Sequence, residues 1–370
     1  MDTILLTGVT GQVGSSLAPR LQEKGHRVLY LIRPGEDGAA GRLRSVLDVM
    51  REEDIAIEGD ITQPNAGVSR AEMRRWKGRV DKVVHGAASV KFDQGDEAAR
   101  INVQGTENML ALAEELEAKE FNYLSTAYVA GSADNFSESD FESARPRNAY
   151  ELSKHRAEKL VRNRHGSVYR LGIVIGDSRT GYTKYFTGYY GYLSGFWRML
   201  QGLRQKQGKG PGKLESYGIV FRPDGTLELP LRVSCSPTST LNLVTSDWVS
   251  GTLACLLELP EKSQAYHIVN PRPPRVQWVI ETSLRYMGIT GIEYSQGLES
   301  EPASAPQKML DRALGPYWPY VSHEPVFTGS NASRDLGVRY VEPPAVDERL
   351  LGTMMRYAKN CWANGHLGEL

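Results

Sequence analysis

A doubly wound α/β fold, in which helices cover both faces of a parallel sheet and a smaller, mostly C-terminal domain is attached, is what this sequence predicts. Three observations predict it. The chain opens on a short apolar run, Thr3-Ile4-Leu5-Leu6, that passes straight into a glycine turn and then into a helix. Through the first half, apolar runs of strand length alternate with longer segments of helical period. The 370 residues suffice for one large domain, or for a sheet domain with a smaller partner.

The first strand ends in Thr7-Gly8-Val9-Thr10-Gly11-Gln12-Val13-Gly14. Gly8 lets the backbone leave the strand sharply, Gly11 removes a Cβ where a phosphate must approach, and Gly14 lets the next helix lie close to the sheet. Val13, Leu17 and Leu21 then recur at helical spacing, and Gly25-His26 stops the helix. The N–H groups of Thr10, Gln12 and Val13 thus cluster at a helix start, where the helix dipole favours an anion. A Rossmann-type dinucleotide site is the expectation.

His26 to Ile32 reads as the second strand, and the residue after it decides the cofactor. A carboxylate there grips ribose hydroxyls, whereas a 2′-phosphate needs a cation. The residue is Arg33, with Arg42 and Arg44 a short loop further on, so NADPH is expected. A third strand, 54–57, leads to Gly59-Asp60-Ile61-Thr62. Asp60 there either accepts from the adenine amine while Ile61 covers the ring, or caps the following helix. Val80 to His85 is the fourth strand, and the small Gly86-Ala87-Ala88 after it lets the backbone approach the cofactor. One long amphipathic helix is expected from Glu97 to Glu117, with Asn102 near its start holding a main-chain kink.

The fifth strand, Phe121 to Leu124, opens into Ser125-Thr126-Ala127-Tyr128. Tyr150 and Lys154 then stand four apart at the start of a helical segment, hence on one face. An ammonium near a phenol lowers the phenol's pKa toward the range of a working proton donor, and a strand-end threonine supplies a hydroxyl to hold a carbonyl oxygen.

Here the chain resembles the extended short-chain dehydrogenase/reductases. It is most similar to their thioester-reductase and fatty acyl-CoA reductase branch, which has the male-sterility type of NAD-binding domain. The resemblance rests on Thr7 to Gly14, Gly59 to Thr62, His85 to Phe92, Asn102-Val103-Gln104-Gly105-Thr106, Leu124 to Val129, Tyr150 to Lys154 and Arg170 to Gly181. It is dense over the first half and thin beyond residue 200. It implies Thr126, Tyr150 and Lys154 as the catalytic set. It implies Arg33 and Arg42 at the 2′-phosphate, and Asn102, Ser125 and Gly172-Ile173-Val174 among the cofactor contacts. Leu171 stands where the relatives commonly have proline. The activity implied is NADPH-dependent reduction of an acyl thioester, on acyl carrier protein or coenzyme A, to an aldehyde or, with a second hydride, to an alcohol.

Past residue 176, Tyr182, Tyr185, Phe186, Tyr189, Tyr190 and Tyr192 crowd a glycine-rich segment. It reads either as a contact surface for an acyl chain, with Tyr128, Tyr185, Tyr189 and Tyr190 as substrate residues, or as ordinary packing. A basic stretch at 204–213 reads as a flexible loop, solvated or facing phosphates or an acidic carrier protein. A strand at 241–244, a helix at 246–257, a strand at 266–270 and a helix ending at Met287 follow. The Pro-rich run to Pro325 reads as irregular, and a last helix spans Val346 to Trp362. The NADP-binding domain is expected over 1–175, with 229–262 returning to it, and the substrate-binding domain over 176–228 and 263–370.

With 44 basic and 44 acidic residues there is no global field to recruit nucleic acid or an anionic membrane. Cys235, Cys255 and Cys361 are too scattered for a disulfide framework or a metal site. With no signal peptide and no apolar run long enough to span a bilayer, a cytoplasmic, monomeric protein is expected. Two other functions share these residues. An extended reductase acting on a free carbonyl or hydroxyl (a hydroxysteroid, dihydroflavonol or nucleotide sugar) is one, though Ala127 and Tyr128 stand where dehydratases of that group place acids. A non-catalytic NADP sensor is the other, and it has no use for all three of Thr126, Tyr150 and Lys154.

Overall fold

The computed structural model describes residues 1–47, 51, 54–92, 95–207, 214–295 and 303–366. The chain divides into two compact units, one built from Met1–Val174, Ser246–Pro271 and Pro325–Pro343, the other from Ile175–Thr245, Arg272–Glu324 and Pro344–Leu370.

The first unit is organised by seven parallel strands: β1 (Thr3–Thr7), β2 (Arg27–Ile32), β3 (Ile55–Glu58), β4 (Lys82–His85), β5 (Glu120–Thr126), β6 (Ser167–Leu171) and β7 (Ala265–Ile268). They lie in the order β7-β6-β5-β4-β1-β2-β3. Their near-continuous apolar runs suit a sheet covered on both faces, and Ile4, Leu6, Val28, Val83 and Val84 are fully buried. The chain moves outward from β1 to β3 and then restarts at β4 on the other side of β1. The switch point therefore lies between β1 and β4, and ligands of such sheets bind beyond the strand ends there. Because β7 pairs with β6 in register Tyr266↔Tyr169, residues 265–268 belong to this sheet, and the expected substrate domain from 263 onward gives up 263–271 to the first unit. Residues 229–245 fall in the second unit.

The long helix expected from 97 to 117 is present but interrupted. An α-helical turn at Gly95–Ala98 runs into a π-helical stretch at Ala99–Gln104 before the α-helix Gly105–Glu115. Asn102 sits in the π stretch, the kind of local unwinding that collects at functional sites.

In the second unit the aromatic segment is ordered. From Tyr189 on it forms the 19-residue helix Tyr189–Gln207, while Tyr182, Tyr185 and Phe186 precede that helix. A Cβ at Gly191 would strike the Tyr317 ring and one at Gly195 would press on Leu314 at 3.3 Å, so these glycines serve close packing. The Pro-rich run is not irregular either. It contains the helices Ala305–Leu314 and Trp318–Ser322. In both, proline occupies the first turn, where it costs no hydrogen bond, and Ser304 caps the first by accepting from Gln307 N. Residues 208–213 of the basic stretch lie outside the described residues, while 204–207 end the long helix.

Candidate active site

The glycine turn after β1 has the shape its sequence requires. Gly8 has φ +81°, in the left-handed region, and a Cβ there would stand 2.5 Å from the Gly86 carbonyl carbon, so the turns after β1 and β4 touch at the switch point. A Cβ on Gly14 would collide with the Gly8 carbonyl. The helix Gln12–Glu23 starts at Gly11 with no side-chain cap and no acid in its first turn. Its positive end thus faces the crevice, and this cradle fits a dinucleotide pyrophosphate. Thr7, which the sequence did not single out, braces it. Its Oγ1 accepts from Gly86 N and Ala87 N at 3.2 Å each, and lies 2.8 Å from His85 Nδ1.

At the end of β2, Arg33 is exposed. Arg42 lies against Gly35, and its Nη1 donates to the Arg33 carbonyl at 3.2 Å, so its guanidinium meets the main chain at the Arg33 position. Asp60 Oδ1 accepts from Thr62 N and Thr62 Oγ1, both at 2.9 Å, closing the turn after β3. Ile61 is buried against Gly105, and Asn108 Nδ2 donates to its carbonyl at 2.7 Å.

Asn102 is 1% exposed and ties two loops together. Its Oδ1 accepts from Ser89 N at 2.8 Å, and its Nδ2 donates to Ser89 O at 2.9 Å and to Ser153 Oγ at 2.8 Å. Ser153 Oγ donates in turn to the Tyr150 carbonyl at 2.7 Å. The segment after Gly86-Ala87-Ala88 is thereby fixed to the helix Ala149–Arg162, which carries Tyr150 and Lys154. That helix is started by Asn148, whose side chain accepts from Glu151 N at 2.9 Å.

Thr126 closes β5, with Oγ1 accepting from Tyr128 N at 3.2 Å and 3.4 Å from the Leu171 carbonyl. It also lies near enough to the Tyr150 phenol to pull its pKa down. The structure therefore brings Thr126 and Tyr150 together. Burial pushes the phenol up to about 12, against the pull of Thr126 and with a further push from Glu151. Lys154 does not acidify it as the spacing suggested. Burial drives Lys154 itself down to about 7, and Nζ donates to the Leu124 carbonyl at 2.8 Å over the face of Tyr123.

Ser125, 5% exposed, has a buried Oγ with no protein partner. Gly172 N donates to Ile268 O at 3.0 Å, and Ile173 and Val174 are half-buried after β6. Tyr128 is 3% exposed, edge-on to Phe327 and under Arg147, so its ring is core. In the second unit, Tyr189 donates to or accepts from Ser283 Oγ at 2.8 Å, and Tyr190 accepts from Gly176 N at 3.1 Å and approaches Met354 Sδ at 3.3 Å. Both rings are buried there. Packing accounts for these two, and Tyr185 alone of the four tyrosines is half-buried.

A family model described as male sterility protein, an NAD-binding domain, matches residues 6–206. The chain belongs to this family. The large subunit of L-2-aminoadipate reductase of Penicillium chrysogenum is 30% identical over 215 residues, which are 49% of this chain and 15% of that protein. Fatty acyl-CoA reductase 1 of Xenopus laevis is 29% identical over 143 residues, 34% of this chain and 28% of the reductase. The chain thus spans a small part of the curated relatives it matches. Among solved structures, the terminal R domain of the myxalamid PKS-NRPS biosynthetic pathway superposes with TM-score 0.75 at 25% identity, over 99% of this chain and 92% of that one. These male-sterility-type relatives are NAD(P)-dependent reductases of the extended short-chain type, and the crevice just described fits an NAD(P) cofactor. Among the described residues, no helix is long and apolar enough to cross a membrane.

Proposed function

We propose that this chain uses NADPH to reduce an acyl thioester, carried on coenzyme A or a carrier protein, to an aldehyde. The observation that carries the reading is the Thr126 hydroxyl beside the Tyr150 phenol at the carboxyl end of β5, next to the glycine cradle, in a family that includes thioester reductases. Arg33, exposed at the end of β2, and Arg42, bonded to its carbonyl, support a 2′-phosphate and hence NADPH over NADH. When bound, the cofactor supplies a hydride to the carbonyl carbon. Thr126 and Tyr150 hold the carbonyl oxygen between two hydroxyls as negative charge develops on it. Tyr150 passes its proton to that oxygen, and the phenol's high pKa keeps it loaded with the proton until then. Lys154 places its charge beside the strand end that carries Thr126, through its bond to the Leu124 carbonyl. The hemithioacetal then collapses to aldehyde and thiol.

Purified protein given NADPH and a long-chain acyl-CoA, or an acyl carrier protein, should release one thiol per NADPH consumed, read with a thiol-reactive dye. Consumption with a ketone or a nucleotide sugar, and none with either thioester, would sink the proposal.

A further inference from the structure

The residue beneath Lys154 has no place in the reaction as set out so far. Tyr123 lies on β5, is 1% exposed, and presents its ring face to the ammonium, with Nζ 4.2 Å from the ring centroid. His85 of β4 lies 5.6 Å from the ring at a 34° tilt, in the register pair His85↔Tyr123. Nζ, the Tyr123 ring and the His85 ring thus form one buried cluster.

Few other groups can stabilise a charge on Lys154. On its own helix, Glu158 is one turn further on and raises the Lys154 pKa, while Tyr150 is one turn back. Glu158, however, is already held by Arg170 of β6 in a fully buried pair, with Nε at 3.1 and 3.3 Å and Nη2 at 2.9 Å. That pairing divides the carboxylate's field between the guanidinium and the Lys154 ammonium. His85 stays neutral, because burial first and the Lys154 charge second press its pKa down to about 3, so it adds no opposing charge. What remains in direct contact is the Leu124 carbonyl and the negative face of the Tyr123 ring. A desolvated ammonium gains most from such a face.

We propose that Tyr123 is a positioning residue for Lys154: its ring face holds the ammonium over the sheet, keeps it on the Leu124 carbonyl and favours its charged form. The role in turnover rests on the thioester-reductase reading, whereas the effect on Lys154 itself does not.

The test is the Lys154 titration midpoint in the free protein. It is followed by NMR with lysine labelled at Cε, the signal being assigned by its loss in Lys154→Arg. Tyr123→Phe keeps the ring and should leave the midpoint where wild type has it. Tyr123→Leu should lower it by about one pH unit. Should the leucine variant not fold, phenylalanines carrying one, two and three ring fluorines at position 123 preserve the shape and weaken the face, and the midpoint should fall stepwise along the series. A midpoint indifferent to leucine or to fluorination overturns the proposal. In turnover at pH 7, Tyr123→Leu should lose about five-fold in kcat at unchanged thioester KM, the gap closing toward pH 5.5, with Tyr123→Phe restoring the rate. A wild-type protein inactive on thioesters, yet with a Lys154 midpoint that follows the ring at 123, overturns the thioester reading and supports this inference. An active protein with an unresponsive midpoint does the reverse.

Discussion

Lys154→Met should abolish a pH dependence of stability that the wild-type protein carries above neutrality. Lys154 is 2% exposed, and burial lowers its pKa from the ordinary 10.5 to about 7, with Glu158 acting in the opposite sense. Between those values the unfolded chain holds a proton that the folded chain has released, so wild-type stability rises with pH across that window. Below about pH 7 both states hold the proton, and the full cost of the buried charge is present. The gap between 10.5 and about 7 corresponds to roughly 5 kcal/mol at 1.36 kcal/mol per pH unit. Methionine fills a similar volume and has no charge to bury. It leaves the Leu124 carbonyl without its 2.8 Å donor, a cost of about 1–3 kcal/mol that does not vary with pH. The two effects have opposite signs, so the ranking should invert. At pH 6.5 the variant should be the more stable protein by about 2 kcal/mol, and at pH 10 the less stable by about 1–3 kcal/mol. Urea unfolding of both proteins, followed by circular dichroism at pH 6.5, 8 and 10, measures the difference, in which all other titrations cancel. A wild-type-minus-variant difference that stays flat over this range would refute the reasoning.

Tyr150→Phe removes the proton donor and one of two hydroxyls on the carbonyl oxygen. It should cut kcat by about 10³-fold or more while cofactor affinity, read by fluorescence, changes less than about three-fold; a variant keeping a tenth of the wild-type turnover would contradict the assigned role. Arg33→Asp should lower the ratio of NADPH to NADH affinity by about 10–100-fold, since a carboxylate repels the 2′-phosphate and accepts from ribose hydroxyls. An unchanged ratio moves phosphate recognition away from this loop. Gly14→Ala puts a methyl into the Gly8 carbonyl and within 2.9 Å of Val9 Cα. Shifting that turn should cost about 1–3 kcal/mol and abolish cofactor binding, and a variant that binds NADPH normally would mean the cradle lies elsewhere.

The fold was legible because its evidence is local. A strand, a glycine turn and a helix are read from fourteen adjacent residues, and the alternation that follows repeats the same grammar along the chain. Asn102 stood out as a polar residue in an apolar pattern, and its three hydrogen bonds to Ser89 and Ser153 give the physical reason. The π stretch around it was not legible, because i→i+5 bonding leaves the same residues in the same order. Pro306 and Pro319 looked like breakers, yet a proline in a helix's first turn is a start signal, and only the caps tell the two apart. Tyr189 and Tyr190 fit a substrate surface and a core equally well by composition, and their partners Ser283 and Met354 lie far along the chain. Tyr123 gave no signal for the same reason. An aromatic residue on a buried strand is expected, and its contact with Lys154 joins positions 31 apart through tertiary structure alone.

The two perturbed groups divide the work between them by the sign of their perturbation. Burial disfavours charge on both, so it raises an acid and lowers a base, sending Tyr150 to about 12 and Lys154 to about 7. A phenol at about 12 is protonated throughout the physiological range and delivers its proton only to something as basic as an alkoxide, which is what a thioester oxygen becomes when its carbon is reduced. A lysine at about 7 is the member of the pair whose charge responds to ordinary changes of pH. On the proposed mechanism, protonation of the carbonyl oxygen would fall to Tyr150 and the pH sensitivity of the site to Lys154. The contacts that govern Lys154, the Leu124 carbonyl and the Tyr123 ring, are then the ones that set the pH range in which the helix carrying Tyr150 also holds a buried positive charge.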